Sequence, residues 1–137
     1  MKIVIDTNDY ISAIIGKKHR EKLSIVLKRS DIEIFTDENL IAEIKDVGYR
    51  NKFRKYVSIE EVDIFIEILR RRLTFINPDS VVTDSPDPDD NYLLALALDS
   101  KSEYLVTGDK QDLISLNPYK DIKIIRLYQF LEILTLS

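Results

Sequence analysis

The 137-residue chain has no cysteine, which excludes disulfides, thiol nucleophiles and thiolate metal sites. That usage fits a reducing compartment. Only three glycines and four prolines punctuate it, and no linker, repeat or low-complexity stretch divides it. No apolar run approaches the roughly 20 residues that cross a bilayer. The first residues read as a strand ending in an acid, not as a signal peptide. The expectation is a soluble, cytoplasmic protein with no membrane segment. Positive charge is also in deficit: 20 Lys and Arg against 24 Asp and Glu give a net charge of −4. That argues against a protein that coats nucleic acid through bulk charge. A local basic face beside an acidic pocket stays compatible with it.

What is present is a core. Hydrophobic residues make up 45% of the chain, and its length suits one domain over residues 1–137. "KIVID" reads as a buried strand, because its apolar residues run without alternation. Residues 8–15 and 20–29 read as helices separated by the polar "GKKH". "DIEIFT" is a second strand. "DENLIAEIKDV" is an amphipathic helix with Leu40, Ile41, Ile44 and Val47 on one face. Ser58 and Glu61 form a capping box before the next periodic segment. "LTFIN", "YLVT" and "IKIIRL" are further strands. The apolar "NYLLALAL", the short "DLISL" and "YQFLEIL" are further helices. Strands alternating with helices predict an α/β fold with a parallel sheet.

Twice an apolar strand runs into a small polar turn carrying a carboxylate, at "KIVIDTND" and at "EYLVTGDK". Asp6 and Asp109 are those acids. Parallel sheets bind ligands outside the carboxyl ends of their strands, where strand order reverses. Two more acids stand in suitable contexts. Glu43 borders the apolar face of its helix, and Asp90 directly precedes the "NYLLALAL" helix, where backbone N–H groups and the helix dipole favour an anion. Two carboxylates about 5 Å apart repel by roughly 3 kcal/mol at an effective dielectric near 20. Four together require protonation or a divalent cation, and oxygen-only donors suit Mg²⁺ or Mn²⁺. Ordinary capping is the competing reading of each acid taken singly. Asp87 and Asp89 read as loop or cap residues, Asp112 as a cap of the short helix, and His19 as solvated.

Four segments in this order resemble the PIN-domain nucleases: "VIDTNDYISAI", "TDENLIAEIKDV", "DPDDNYLLALAL" and "YLVTGDKQDLISL". The likeness runs from residue 3 to about residue 127. With "RNKFRKYVSIEEVDIF" following the second segment, it is most similar to the VapC-like toxin branch of toxin–antitoxin operons. The resemblance implies a Rossmann-like, parallel five-stranded sheet in order 3-2-1-4-5 flanked by helices. It implies metal-dependent hydrolysis of RNA phosphodiesters with Asp6, Glu43, Asp90 and Asp109 as the acidic, metal-holding pocket. Asn8 and Thr107 would be supporting polar groups. A cognate antitoxin protein and a homodimer are the partners it implies. Asp9 departs from the family pattern, which has an apolar residue there, and is expected to face solvent.

Lys17, Lys18 and Arg20, and the run of residues 50–55, are either guides for a substrate backbone or a solvated face. Two rival functions stand beside the nuclease. One is a non-catalytic metal-binding or interaction module with the same pocket. The other is a phosphatase with Asp6 as nucleophile, which would call for a second aspartate where Asn8 stands.

Overall fold

A computed structural model describes residues 1–108 and 111–136. Among them are five strands: β1 Lys2–Ile5, β2 Glu33–Thr36, β3 Thr74–Phe75, β4 Tyr104–Val106 and β5 Lys123–Ile125. All pair in parallel, in the order β3-β2-β1-β4-β5. Seven helices accompany them: α1 Thr7–Ile15, α2 Lys17–Leu27, α3 Glu38–Gly48, α4 Ile59–Arg72, α5 Asn91–Asp99, α6 Gln111–Ile114 and α7 Leu127–Leu136. The order expected from the resemblance is the one observed.

Central strands carry Ile3, Val4, Ile5, Ile34, Leu105 and Val106, all buried. Such unalternating apolar strands require cover on both faces. On α5, five consecutive buried residues, Leu93 to Ala97, pack against β1, β4 and β2. Because the chain crosses from β3 past β2 and β1 to reach β4, strand order reverses between β1 and β4, where a parallel sheet opens a crevice.

Two boundaries differ from the sequence reading. The stretch 16–19 is not a separator: only Gly16 stands between α1 and α2, with extended backbone angles. Lys17, Lys18 and His19 form the first turn of α2, since lysine and histidine pose no steric obstacle to a helix. Asp112 lies inside the first turn of α6 and is not its cap. The Ser58–Glu61 capping box at the start of α4 forms as expected, with both reciprocal bonds made.

Arg72, at the end of α4, donates to the carbonyls of Leu27, Arg29 and Ile32 at 2.7, 2.8 and 2.7 Å. One guanidinium thus ties α4 to the end of α2 and the entry to β2. Gly48 ends α3 where a Cβ would lie 2.9 Å from Val62 Cγ1, so glycine here permits the close approach of α3 and α4.

Candidate active site

Asp6 and Thr107 are each the first residue past a strand. The register pairs Ile5 with Val106, and the Asp6 amide extends the ladder by donating to the Val106 carbonyl at 2.8 Å. Their successors are therefore neighbours, and the Thr107 hydroxyl donates to Asp6 Oδ2 at 2.8 Å. Both side chains are fully buried. A carboxylate out of water is costly unless hydrogen-bonded, and a threonine at this register position is a short donor fixed by the sheet.

Glu43 reaches the same edge from α3. Its Oε2 accepts from the Thr7 hydroxyl at 3.2 Å and from the Tyr92 phenol at 2.9 Å. The Thr7 and Tyr92 oxygens are 3.1 Å apart. Three contacts share two hydroxyl protons: either both hydroxyls donate to Glu43, or one relays through the other. In both cases the carboxylate is held by groups from α1 and α5. Burial keeps the Tyr92 phenol neutral far above the ordinary tyrosine range. The Thr7 bond is the next largest influence and pulls the other way, while the charge and hydrogen bond of Glu43 and the charge of Asp6 add to the rise. Tyr92 is thus a standing donor at the site. Neither Thr7 nor Tyr92 was singled out by sequence; the one signal was that Thr7 follows Asp6 directly and Tyr92 follows Asp90 by two.

Asp90 is buried at the junction of a short 3₁₀ turn, Pro88–Asp90, with α5. The competing reading of it as a cap is not met: its side chain makes no cap bond to α5. The preceding turn is capped instead by Asp87, which accepts from the Asp89 amide at 3.0 Å, as a cap reading of Asp87 requires. Since Tyr92 touches Thr7 and Glu43, the amino end of α5 sits at the carboxyl end of β1. The structure therefore brings Asp6, Thr107, Glu43 and the helix end bearing Asp90 to one edge of the sheet. Asp109 lies outside the described residues.

Asp9 and His19 correct the sequence reading. Asp9 is buried, 2% exposed, and His19 Nε2 lies 3.0 Å from its Oδ1. Three residues along a helix return to the same face, so Asp9 shares the inward face of α1 with Asp6. The single-residue break at Gly16 then folds the first turn of α2 back onto that face. Burial, and after it the ammonium of Lys22, holds the His19 imidazole below its ordinary range. Asn8 is exposed and lines a cleft with Asp9 and His19. Arg20, for which the sequence left a substrate guide and a solvated face as alternatives, donates to the carbonyls of Ala13 and Ile14 at 3.0 and 3.3 Å and so braces the end of α1.

The donors gathered here are oxygens: carboxylates of Asp6, Glu43 and Asp90 with hydroxyls around them. That chemistry fits a hard divalent cation such as Mg²⁺ or Mn²⁺. Among the described residues no three acidic or histidine side chains stand close enough to form a complete metal-holding group. The described acids are thus donors of the right kind and an incomplete set.

Comparison with known proteins gives two findings. The family model of the PIN domain matches residues 2–111. An uncharacterized protein of Methanocaldococcus jannaschii is 34% identical over 137 aligned positions, covering 93% of this chain and 84% of that protein. PIN domains are generally nucleases and typically use divalent metals. The matched span runs from the start of β1 to the start of α6 and takes in Asp6, Glu43, Asp90 and Thr107. On that match, the chain belongs to the PIN domain family.

Proposed function

We propose that this protein is a metal-dependent endoribonuclease that hydrolyses RNA phosphodiester bonds with Mg²⁺ or Mn²⁺. The observation that supports it most is the fully buried Asp6 carboxylate, held by Thr107 at the strand-order reversal. It stands beside a Glu43 carboxylate oriented by Thr7 and Tyr92. Evolution of a soluble core does not need an acid at the end of a central strand; a cation-dependent reaction does.

In this reading Asp6 and Asp90 are direct metal ligands, and Glu43 and Asp109 complete the set or orient water. A divalent cation bound there supplies Lewis acidity and a water of lowered pKa. The chain's own residues do the rest. Thr107 fixes one Asp6 oxygen, so the carboxylate cannot rotate away from the crevice. Thr7 and Tyr92 fix Glu43 and leave its second oxygen directed by that restraint. Tyr92, kept protonated, offers a donor and never a competing negative charge.

The likeness of residues 36–65 to the toxin branch supports a role as the toxin of a toxin–antitoxin pair, with a cognate antitoxin and a homodimer as partners. No helix among the described residues is long and apolar enough to cross a membrane, and a cytoplasmic site of action is part of the same proposal. Purified protein with Mn²⁺ or Mg²⁺ is expected to shorten single-stranded RNA to fragments with 5′-phosphates, and EDTA to stop it. If rigorously purified protein cuts no RNA under any divalent cation, the non-catalytic module replaces this reading. Induction of the gene without its neighbours is expected to arrest growth if the toxin assignment holds.

A further inference from the structure

Beside the carboxylates lies a cleft of about 520 Å³ that the proposed reaction does not use. Its walls come from four places: Asn8, Asp9 and Ser12 on α1, His19 and Lys22 on α2, Gly108 after β4, and Arg126 and Tyr128 around the start of α7. The cleft adjoins the acidic edge through the chain itself. Gly108 follows Thr107, the partner of Asp6, and Asp9 lies three residues beyond Asp6 on α1. Among the described residues its ionisable lining sets two cations, Lys22 and Arg126, beside His19 against the single acid Asp9. Lys22 is exposed at the rim, and the Arg126 guanidinium donates to the Gly108 carbonyl, which places it across the ends of β4 and β5. Asp9 is turned inward onto His19 and adds little negative face to the opening. Tyr128, 52% exposed, stands at the mouth with its ring in water.

We infer that this cleft is a nucleotide subsite next to the cleavage position: Lys22 and Arg126 hold a backbone phosphate of the RNA, and Tyr128 stacks on the attached base. The inference rests on the nuclease reading for its substrate class. A chain of net charge −4 with a carboxylate cluster repels a polyanion. It needs a cationic foothold within reach of that cluster, and phosphate contacts from Lys and Arg supply position without sequence preference. An exposed aromatic ring beside a phosphate-binding wall is the arrangement by which single strands are held, since every base has a face that stacks. His19 joins the site as a proton-responsive wall. Its neighbours are Asp9 from α1, Lys22 from its own helix, and Arg126 and Tyr128 from the α7 side. Burial lowers its pKa in the free protein, and a phosphate in the cleft favours the protonated ring, so binding strengthens as pH falls through the imidazole range.

The test is fluorescence anisotropy with a short labelled single-stranded RNA in EDTA, where no cleavage competes. Parent, Lys22→Ala, Tyr128→Ala and His19→Gln are compared at pH 5.5, 6.5 and 7.5. Lys22→Ala and Tyr128→Ala are each expected to weaken binding roughly tenfold, and Lys22→Ala to flatten the salt dependence. For the parent, affinity is expected to rise from pH 7.5 to 5.5, by at most about tenfold for each unit by which bound phosphate raises the imidazole pKa. His19→Gln is expected to remove that rise, while any general effect of carboxylate protonation persists in it. Lys22 and Tyr128 are exposed, so their variants keep the fold. Parental affinity in both overturns the subsite. Loss of RNA binding in them, with no cleavage by the parent in Mn²⁺, leaves the subsite standing and removes the nuclease reading. Parental binding and parental cleavage in both do the reverse.

Discussion

Thr107 is a small residue with a large share of the site's geometry, because the hydrogen bond from its hydroxyl restrains a buried carboxylate. Thr107→Val keeps the shape of the side chain and removes the donor to Asp6. A bond to a charged group is worth about 1.5–3 kcal/mol, so the variant is expected to lose about that much stability by denaturant titration and to cut RNA at least tenfold more slowly. Thr107→Ser is expected to restore both. Tyr10 gives the opposite sign. Its hydroxyl is fully buried with no hydrogen-bond partner among the described residues, an arrangement that costs about 1–3 kcal/mol. Tyr10→Phe is expected to melt at an equal or higher temperature. His19 supplies a pH dependence. Its folded pKa is lowered below the unfolded value near 6.5, chiefly by burial. In the window between the two values the unfolded chain binds more protons, so stability falls as pH drops through it. His19→Gln is expected to remove that slope; an unchanged slope assigns the acid sensitivity to other groups. Asp6 was legible because a strand end fixes its residue in space, and Thr107 through the family resemblance. The Asp9–His19 pair was not, since it depends on α2 turning back after a single glycine, which no local pattern announces.

Packing between whole elements decides where Glu43 points. Its position on α3 follows from how that helix lies on α1 and α4. A sequence pattern gives the apolar face of α3 but not its rotation to within the few ångströms that select Thr7 and Tyr92 as partners. The α3–α4 contact is set by Gly48, where an added Cβ meets the stiff, β-branched Val62 at 2.9 Å. Gly48→Ala gains about 1 kcal/mol of helix propensity and incurs overpacking of about 1–3 kcal/mol. Net destabilisation of about 1 kcal/mol is expected. Paired with Val62→Ala, which removes the clash, the double variant is expected to be more stable than the sum of the two single changes predicts. Strict additivity in that cycle would show that the two helices adjust without strain. Alternating strands and helices made a parallel α/β sheet legible at this scale, and its strand order was legible only through the resemblance of four spaced segments to the PIN domain. Exact ends were not: β3 keeps only Thr74 and Phe75 in the ladder, because its residues lie on the sheet's edge.

Across the whole molecule, folding and cation binding draw on the same carboxylates, and linkage separates them. Asp90 is buried, and its side chain makes no cap bond to α5. Asp90→Asn keeps the size of the side chain and removes one negative charge from an edge that also carries Asp6 and Glu43. The metal-free variant is expected to melt at the same or a higher temperature than the parent, because a neutral amide is cheaper to bury than a carboxylate. Cation binding must move the other way. At a Mn²⁺ concentration a hundredfold above the parent's Kd, linkage stabilises the parent by about 2.7 kcal/mol. A variant whose affinity has dropped a hundredfold gains only about 0.4 kcal/mol at that concentration. RNA cleavage is expected to fall by orders of magnitude alongside that loss. Thermal melts with and without Mn²⁺, read together with cleavage, therefore report the site and the fold separately. Equal Mn²⁺-induced shifts and equal cleavage in parent and variant would remove Asp90 from the proposed ligand set and leave Asp6 to be tested the same way.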